Sequence, residues 1–113
     1  MNNDNNRTDR VFPILKRNGT HEVYDPNKIA NAIRKSFIST GHSIEEEELR
    51  TIVETVGSML DADESLREVE HIQDLVEQQL MKQGHYAEAK SYILFRNKRT
   101  EQRHLLNRLA ALM

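Results

Sequence analysis

Between Ile14 and Ile33 the chain reads ILKRNGTHEVYDPNKIANAI, and few stretches this short leave a fold so little choice. An apolar run of Val11, Phe12, Ile14 and Leu15 ends at Lys16-Arg17 and meets Asn18-Gly19, the strongest short-range signal for a hairpin. Thr20 to Tyr24 then returns as a second strand, opposite a first strand drawn over Val11 to Lys16. Pro13 puts that first strand at a sheet edge or at its own beginning. Asp25-Pro26 follows, with Asp25 a good N-cap and Pro26 suited to the first helical position. A lone hairpin is marginal in water, so it must lie on something. The helix supplies the surface: Ile29, Ala32, Ile33, Ser36 and Phe37 recur at three and four, and Gly41 stops it.

The remaining periodicities give three more helices. Ser43 with Glu46 reads as a capping box, and Glu45 to Glu48 suit a helix N-terminus. Leu49, Ile52, Val53, Val56, Met59 and Leu60 then form one apolar stripe, which the acidic loop Asp61-Ala62-Asp63-Glu64 ends. Leu66, between Ser65 and Arg67, is expected as a brief third strand beside the hairpin. Val69, Ile72, Leu75, Val76 and Leu80 mark a third helix, closed by Gly84. A fourth begins near His85 and carries Tyr86, Ala89, Ile93 and Leu94 as its apolar face. The class is therefore α+β, mainly α.

Composition narrows what such a chain does. The 113 residues make one compact domain and little more. With 37% apolar and 30% charged residues, wide polar faces are expected rather than a thick core. The net charge of −2 gives no global attraction to nucleic acid or membrane, so an anion site has to come from local clustering. Cysteine is absent, which removes disulfides and thiolate chemistry together and fits a cytoplasmic protein. No apolar run approaches membrane-spanning length. Residues 1–10 are polar and are expected to form a disordered tail. Residues 104–113, ending LLNRLAALM, are expected to start a linker or interaction helix that packs on another domain or chain, with a larger protein continuing beyond.

Local clustering is present at the opening stretch. Lys16 and Arg17 precede the turn, and Lys28 falls in the first turn of the first helix. A cation there opposes the helix dipole by a few tenths of a kcal/mol; a bound polyphosphate would reverse that penalty. On the fourth helix Lys90, Arg96, Lys98, Arg99 and Arg103 build a basic face. Lys90 and Lys98 lie about two turns apart and within roughly 80° of one another around the axis, so both can serve one elongated anion.

Catalytic inventory is thin. Gly19, Gly41, Gly57 and Gly84 do not make a phosphate-binding Gly-rich loop, and nothing resembles a nucleophile with its base. The five histidines, His21, His42, His71, His85 and His104, show no i, i+4 pair and no thiolate neighbours, so surface positions are expected rather than metal ligands.

The quoted stretch, followed by VEHIQDLVEQQLMKQGHYAEAKSYILFRNKR, resembles the ATP-cone, a regulatory nucleotide-binding domain found at the amino end of many ribonucleotide reductase subunits and in a related bacterial repressor. The Lys-Arg-x-Gly turn, the Lys-Ile-x-x-Ala-Ile helix start, the Ile-Gln-Asp-Leu-Val segment and the Ala-Lys-x-Tyr-Ile-Leu-x-Arg segment occur in family order. The resemblance covers residues 11–103. It implies a four-helix bundle capped by a small three-stranded sheet, the hairpin plus a short strand, with ATP or dATP held between sheet and helices, accompanied by Mg²⁺. Carried over by position, Lys16, Arg17, Lys28, Lys90 and Lys98 meet phosphates; Ile14, Ile29 and Ile72 line base and sugar; Glu22 and Gln73 are polar partners. Where the family often caps the third helix with Ser or Thr, this chain has Val69, so a cap is expected to be missing. The implied role is a switch sensing ATP against dATP, without catalysis of its own, acting on other reductase subunits or another copy of itself. A repressor's cone, or a degenerate cone used only as an interaction module, are the alternatives. Nucleic acid is not an expected partner, because the charge balance is against it.

Overall fold

The structure, a computed structural model, describes residues 10–94. Strands β1 (Pro13–Leu15) and β2 (His21–Val23) pair antiparallel, with Pro13 opposite Val23, Ile14 opposite Glu22 and Leu15 opposite His21. Four helices follow: α1 (Pro26–Thr40), α2 (Glu46–Ala62), α3 (Val69–Lys82) and α4, which covers residues 86–94 up to the limit of the described residues. A mainly helical chain carrying a small hairpin is thus what the structure shows. Residues 1–9 of the expected tail, Lys98 and the interaction helix over 104–113 lie outside the described residues, whereas Arg10, the last residue of that expected tail, is held with Nη2 2.9 Å from Glu54 Oε1.

Local chemistry accounts for the ends of α1. The Asp25 carboxylate accepts from the Asn27 N–H at 3.0 Å, Pro26 occupies the first turn, and Gly41 closes the helix with φ of 76°. At the end of α3 the His85 N–H donates to Leu80 C=O (2.8 Å) and the Gly84 N–H to Met81 C=O (3.0 Å). That pair of bonds is a Schellman closure, and Gly84, at φ of 83°, supplies the left-handed residue it requires.

The hairpin loop differs from the one an Asn-Gly pair usually makes. A two-residue loop would need positive φ at Asn18, yet no non-glycine described residue has it. Instead the Gly19 N–H donates to Lys16 C=O (3.0 Å) and the Lys16 N–H to Thr20 C=O (2.7 Å). The loop is therefore Arg17-Asn18-Gly19, a turn followed by a left-handed glycine at φ of 87°. The Asn18 side chain accepts from both the N–H and the hydroxyl of Thr20, which stiffens it.

Three further expectations need correction. The third strand is not formed at Leu66, so the sheet is two-stranded. The Asp63 carboxylate accepts from the N–H and hydroxyl of Ser65, and the Leu66 and Arg67 N–H groups bond back to Asp63 and Glu64. Those bonds wind Glu64–Leu66 into a 3₁₀ turn and hold the Asp63 carboxyl below its ordinary value. Only beyond it does the chain reach the hairpin edge, as a single parallel bridge between Leu15 and Glu68, with the Leu15 N–H on Arg67 C=O at 3.0 Å. The Ser43 capping box is also absent. Helix α2 starts after Glu45 with no side-chain cap, and Glu46 is engaged by Arg34 of α1 at 3.0 Å instead. Helix α3 does lack a side-chain cap, but the cap position is Glu68, with Val69 the first helical residue. Finally, α4 turns only part of its expected face inward, with Ala89 buried and Ile93 half-buried. Tyr86 (69% exposed) and Leu94 (59%) point outward, while Glu88, Ala89 and Tyr92 are buried.

The core fills the space between the hairpin and the helices. Ile14 of β1 and Phe12, just before it, point down on the same side by extended-chain alternation and join Ile29, Ile33 and Phe37 of α1, Leu49, Ile52, Val56 and Leu60 of α2, and Val76 and Leu80 of α3. Phe12 stacks on Tyr24 with ring centroids 4.9 Å apart, and the Arg67 guanidinium covers Phe12 at 4.2 Å. Gly57 sits inside α2 for a steric reason: a Cβ there would come within 3.1 Å of both the Tyr24 hydroxyl and Arg10 Nη1. Burial pushes the Tyr24 phenol up, so it stays neutral there.

Glu88 explains how α4 buries a carboxylate. It accepts from the Thr40 hydroxyl and faces His42 Nδ1 at 2.6 Å, both at the C-terminal end of α1. Burial pushes this carboxyl upward, but the bonds from Thr40, His42 and its own backbone outweigh it, so the net value lies below the ordinary 4.5. A carboxyl lowered in the folded state stabilises the fold above its unfolded value and loses that contribution as pH falls through the folded value. Acidification below about pH 4.5 is therefore expected to lower the urea midpoint more steeply in the unaltered chain than in Glu88→Gln. Equal slopes for the two proteins would remove this role from Glu88.

Candidate functional site

A cleft of about 200 Å³ opens beneath the hairpin where five elements converge. Ile14 comes from β1, Glu22 and Val23 from β2, Lys28, Ile29 and Ala32 from α1, Val69, Ile72 and Gln73 from α3, and Tyr92 from α4, with Tyr24 and Asp25 in the connection before α1. Its walls divide by chemistry. Ile14, Ile29, Ala32, Val69, Ile72 and the Tyr92 ring make an apolar interior, whereas Glu22, Asp25, Lys28 and Gln73 set polar groups at the rim. Such a cleft suits a ligand with one flat apolar end and one charged end.

A larger hollow of about 550 Å³ runs along α2, past Glu47, Arg50, Glu54 and Ser58. Among the described residues its lining comes from that one helix, with no second described element converging there. The smaller cleft has the better claim as a site, because convergence fixes orientation and one helix face does not.

Among the described residues Lys28 lines the rim and Arg17 reaches it through Gln73, and each is matched by a carboxylate. Lys28 Nζ lies 2.9 Å from Glu22 Oε1, and its side chain is 65% exposed. This pair answers the apparent misplacement of a lysine in a helix's first turn: β2 brings Glu22 to it. Arg17 is held more closely, at 24% exposure, with Nε donating to Glu70 Oε2 at 2.6 Å and Nη2 to Gln73 Oε1 at 2.8 Å. Strand alternation sends Arg17 and Lys16 to opposite sides of a flat strand. The three-residue loop lifts Arg17 out of that alternation and lays it on the first turns of α3, where Gln73 joins it to the cleft.

Of the residues expected from the sequence, Ile14, Glu22, Lys28, Ile29, Ile72 and Gln73 line one cleft, with Arg17 bonded to the last. Lys16 is exposed at the end of β1, on the side of Ile14 by alternation but not in the lining. Lys90 is exposed on α4, about 200° around the axis from Tyr92, and is not brought to the cleft. Lys98 lies outside the described residues. Sequence reading missed Val23, Tyr24, Asp25, Ala32, Val69 and Tyr92 as lining residues. Tyr92 carried a usable signal, since His85, Ala89 and Tyr92 repeat at four and three. Histidines are not uniformly superficial either: His85 Nε2 contacts Glu48 at 2.6 Å and its ring meets Phe37 edge-on at 5.0 Å.

Among the described residues no cluster of three or more His, Asp or Glu side chains is arranged to hold a metal ion, and no helix is long and apolar enough to cross a membrane. The family model for the ATP cone domain matches residues 13–101. The chain belongs to the ATP-cone family. Membership carries a regulatory nucleotide-binding role, and the apolar cleft rimmed by cations is in keeping with it. The chain is 35% identical over 100 residues to the ribonucleoside-diphosphate reductase subunit alpha of Chlamydia muridarum, a match covering 80% of this chain and 10% of that protein. It is 38% identical over 104 residues to the subunit alpha of Chlamydia pneumoniae, covering 82% and 10%. The corresponding subunit of Treponema pallidum is 35% identical over 99 residues, covering 80% and 11%. The chain thus spans about a tenth of the length of these relatives.

Proposed function

We propose that this ATP-cone binds ATP and dATP in the cleft beneath the hairpin and passes its occupancy to a ribonucleotide reductase, setting activity through subunit contacts. The observation that carries the reading is an apolar slot with Lys28 in its lining and Arg17 bonded to the lining residue Gln73, in a chain of this family. Ile14, Ile29 and Ile72 would hold the base and sugar. Glu22 and Gln73 would offer polar partners to them, and Lys16, Arg17 and Lys28 would take the phosphates by charge-assisted hydrogen bonds. Lys90 and Lys98 are proposed for the outer phosphate, one from the exposed face of α4 and the other beyond the described residues. Mg²⁺ would travel with the triphosphate, coordinated by phosphate and water.

ATP and dATP differ by one hydroxyl, so a switch needs the two ligands to favour different arrangements of the domain. Glu22 would read that hydroxyl, a role supported by its position in the cleft lining with its carboxylate tied to Lys28. Calorimetric titration of the chain with each nucleotide is expected to give saturable heat for both, with unequal affinities. Light scattering of a reductase carrying this cone should then change differently with ATP and dATP. No heat from either nucleotide would sink the reading.

A further inference from the structure

Arg17 raises a question that the nucleotide-binding reading leaves open. Its guanidinium is the best-held cation beside the cleft, yet what holds it is Glu70, whose side chain is 53% exposed and does not line the cleft. We propose that Glu70 is a built-in competitor for the nucleotide's phosphates: it latches the hairpin loop onto α3 in the empty domain, and a triphosphate must take Arg17 from it. This rests on the reading of the cleft as a nucleotide site.

The geometry favours competition over mere decoration. Arg17 presents two edges of its fork to two acceptors on one helix, Glu70 at 2.6 Å and Gln73 at 2.8 Å. Glu70 is also the second residue of α3, where the helix dipole favours a negative charge and no side-chain cap competes for the first turn. A phosphate drawn to Arg17 would meet that same carboxylate and be repelled by it. Binding and release of the latch are therefore one linked equilibrium, with Glu70 setting the concentration at which it shifts. Lys28 and Glu22 do not make an equivalent latch. Both line the cleft, so their pairing is internal to the site, and it joins β2 to α1 rather than the loop to α3.

Releasing Arg17 also has a mechanical consequence. The latch joins the loop at the tip of the hairpin to the helix that carries Ile72 and Gln73. Freeing it releases the loop alone, because Leu15, next to the loop, stays bonded to Arg67 and Phe12 holds the far end of the hairpin in the core.

The test is a double-mutant cycle read by ATP titration of the full 113-residue chain. Glu70→Gln keeps the side chain's size and removes its charge, and is expected to tighten ATP by about threefold to tenfold. In the Arg17→Ala background the same change is expected to shift affinity by less than about twofold, because the contested partner is gone. Unaltered ATP affinity in Glu70→Gln, with the parent chain binding normally, would overturn the latch and leave the nucleotide reading intact. A full tightening that persists without Arg17 would also overturn it, since Glu70 would then act only through its general charge. If the parent chain binds no ATP, both readings fall together.

Discussion

Replacing Arg67 with alanine is expected to destabilise the domain by about 3 kcal/mol, more than any other substitution of a charged residue outside the cleft. Three bonds converge on this one residue. Its guanidinium lies 4.2 Å over Phe12, its Nε donates to Leu60 C=O at 2.9 Å, and its Nη2 donates to Asp61 C=O at 3.2 Å. The two carbonyls belong to the last turn of α2, which no basic residue of that helix answers. A cation there satisfies them and sits at the favourable end of the dipole. Its backbone carbonyl meanwhile receives the Leu15 N–H, so the same residue anchors the hairpin edge. Arg67→Lys keeps a charge but loses the planar fork, and should fall between the two. Val11→Ala, at a side chain 80% exposed, should stay within about 0.5 kcal/mol of the parent. Urea unfolding followed by helical circular dichroism measures all three. A loss below about 1 kcal/mol for Arg67→Ala would show that the side chain is not what holds the hairpin, leaving the apolar contacts and the backbone bond from Leu15 to do so.

What the sequence discloses about this fold follows from the range of each interaction. Asp25, Pro26, Gly41 and Gly84 act within a turn of themselves, and all four do what their chemistry predicts. Periodicity located the stripes of α1 and α2 for the same reason: Ile29, Ile33 and Phe37, or Leu49, Ile52, Val56 and Leu60, declare a face without reference to the rest of the chain. The failures occur where one local bond competes with another. Asn18-Gly19 announced a hairpin, but Lys16 and Thr20 closed a longer loop. Ser43 lost its capping role as Glu46 turned to Arg34. Ser65 bonded to Asp63 and wound up the segment expected to extend. Helix α4 misled for a different reason. Its buried face includes a glutamate, and only Thr40 and His42, distant in sequence, make that burial tolerable. The cleft shows the same division. Ile14, Ile29 and Ile72 of its walls and Glu22, Lys28 and Gln73 of its rim were legible through the family resemblance. Ala32, Val69, Tyr92 and Asp25 join them only through the packing of the helices, and the pairing of Arg17 with Glu70 depends on how the loop lies across α3.

Lys28→Glu is expected to raise the dissociation constant for ATP by at least about 100-fold while leaving the fold as stable as before, and the contrast is informative. Lys28 is largely exposed, and its pair with Glu22 is of the kind worth about 0–1 kcal/mol. Reversal removes that pair and sets two carboxylates together, which costs a little. It also places a negative charge in the first turn of α1, where the dipole favours it by roughly 0.3–1 kcal/mol. The two effects nearly cancel, so the unfolding midpoint should barely move. A triphosphate gains nothing from that cancellation. It loses a charge-assisted bond worth about 1.5–3 kcal/mol and meets a repulsive charge at the same point. Lys35→Glu makes the same change in net charge two turns along α1, about 10 Å away and near one screening length. Its effect on ATP affinity should stay within about threefold. Equal losses for both variants would mean that the cone attracts nucleotide through its overall field, and Lys28 would then be an ordinary surface lysine. A large loss confined to Lys28 would instead explain why a helix start that Asp25 and Pro26 otherwise favour carries a cation the dipole opposes.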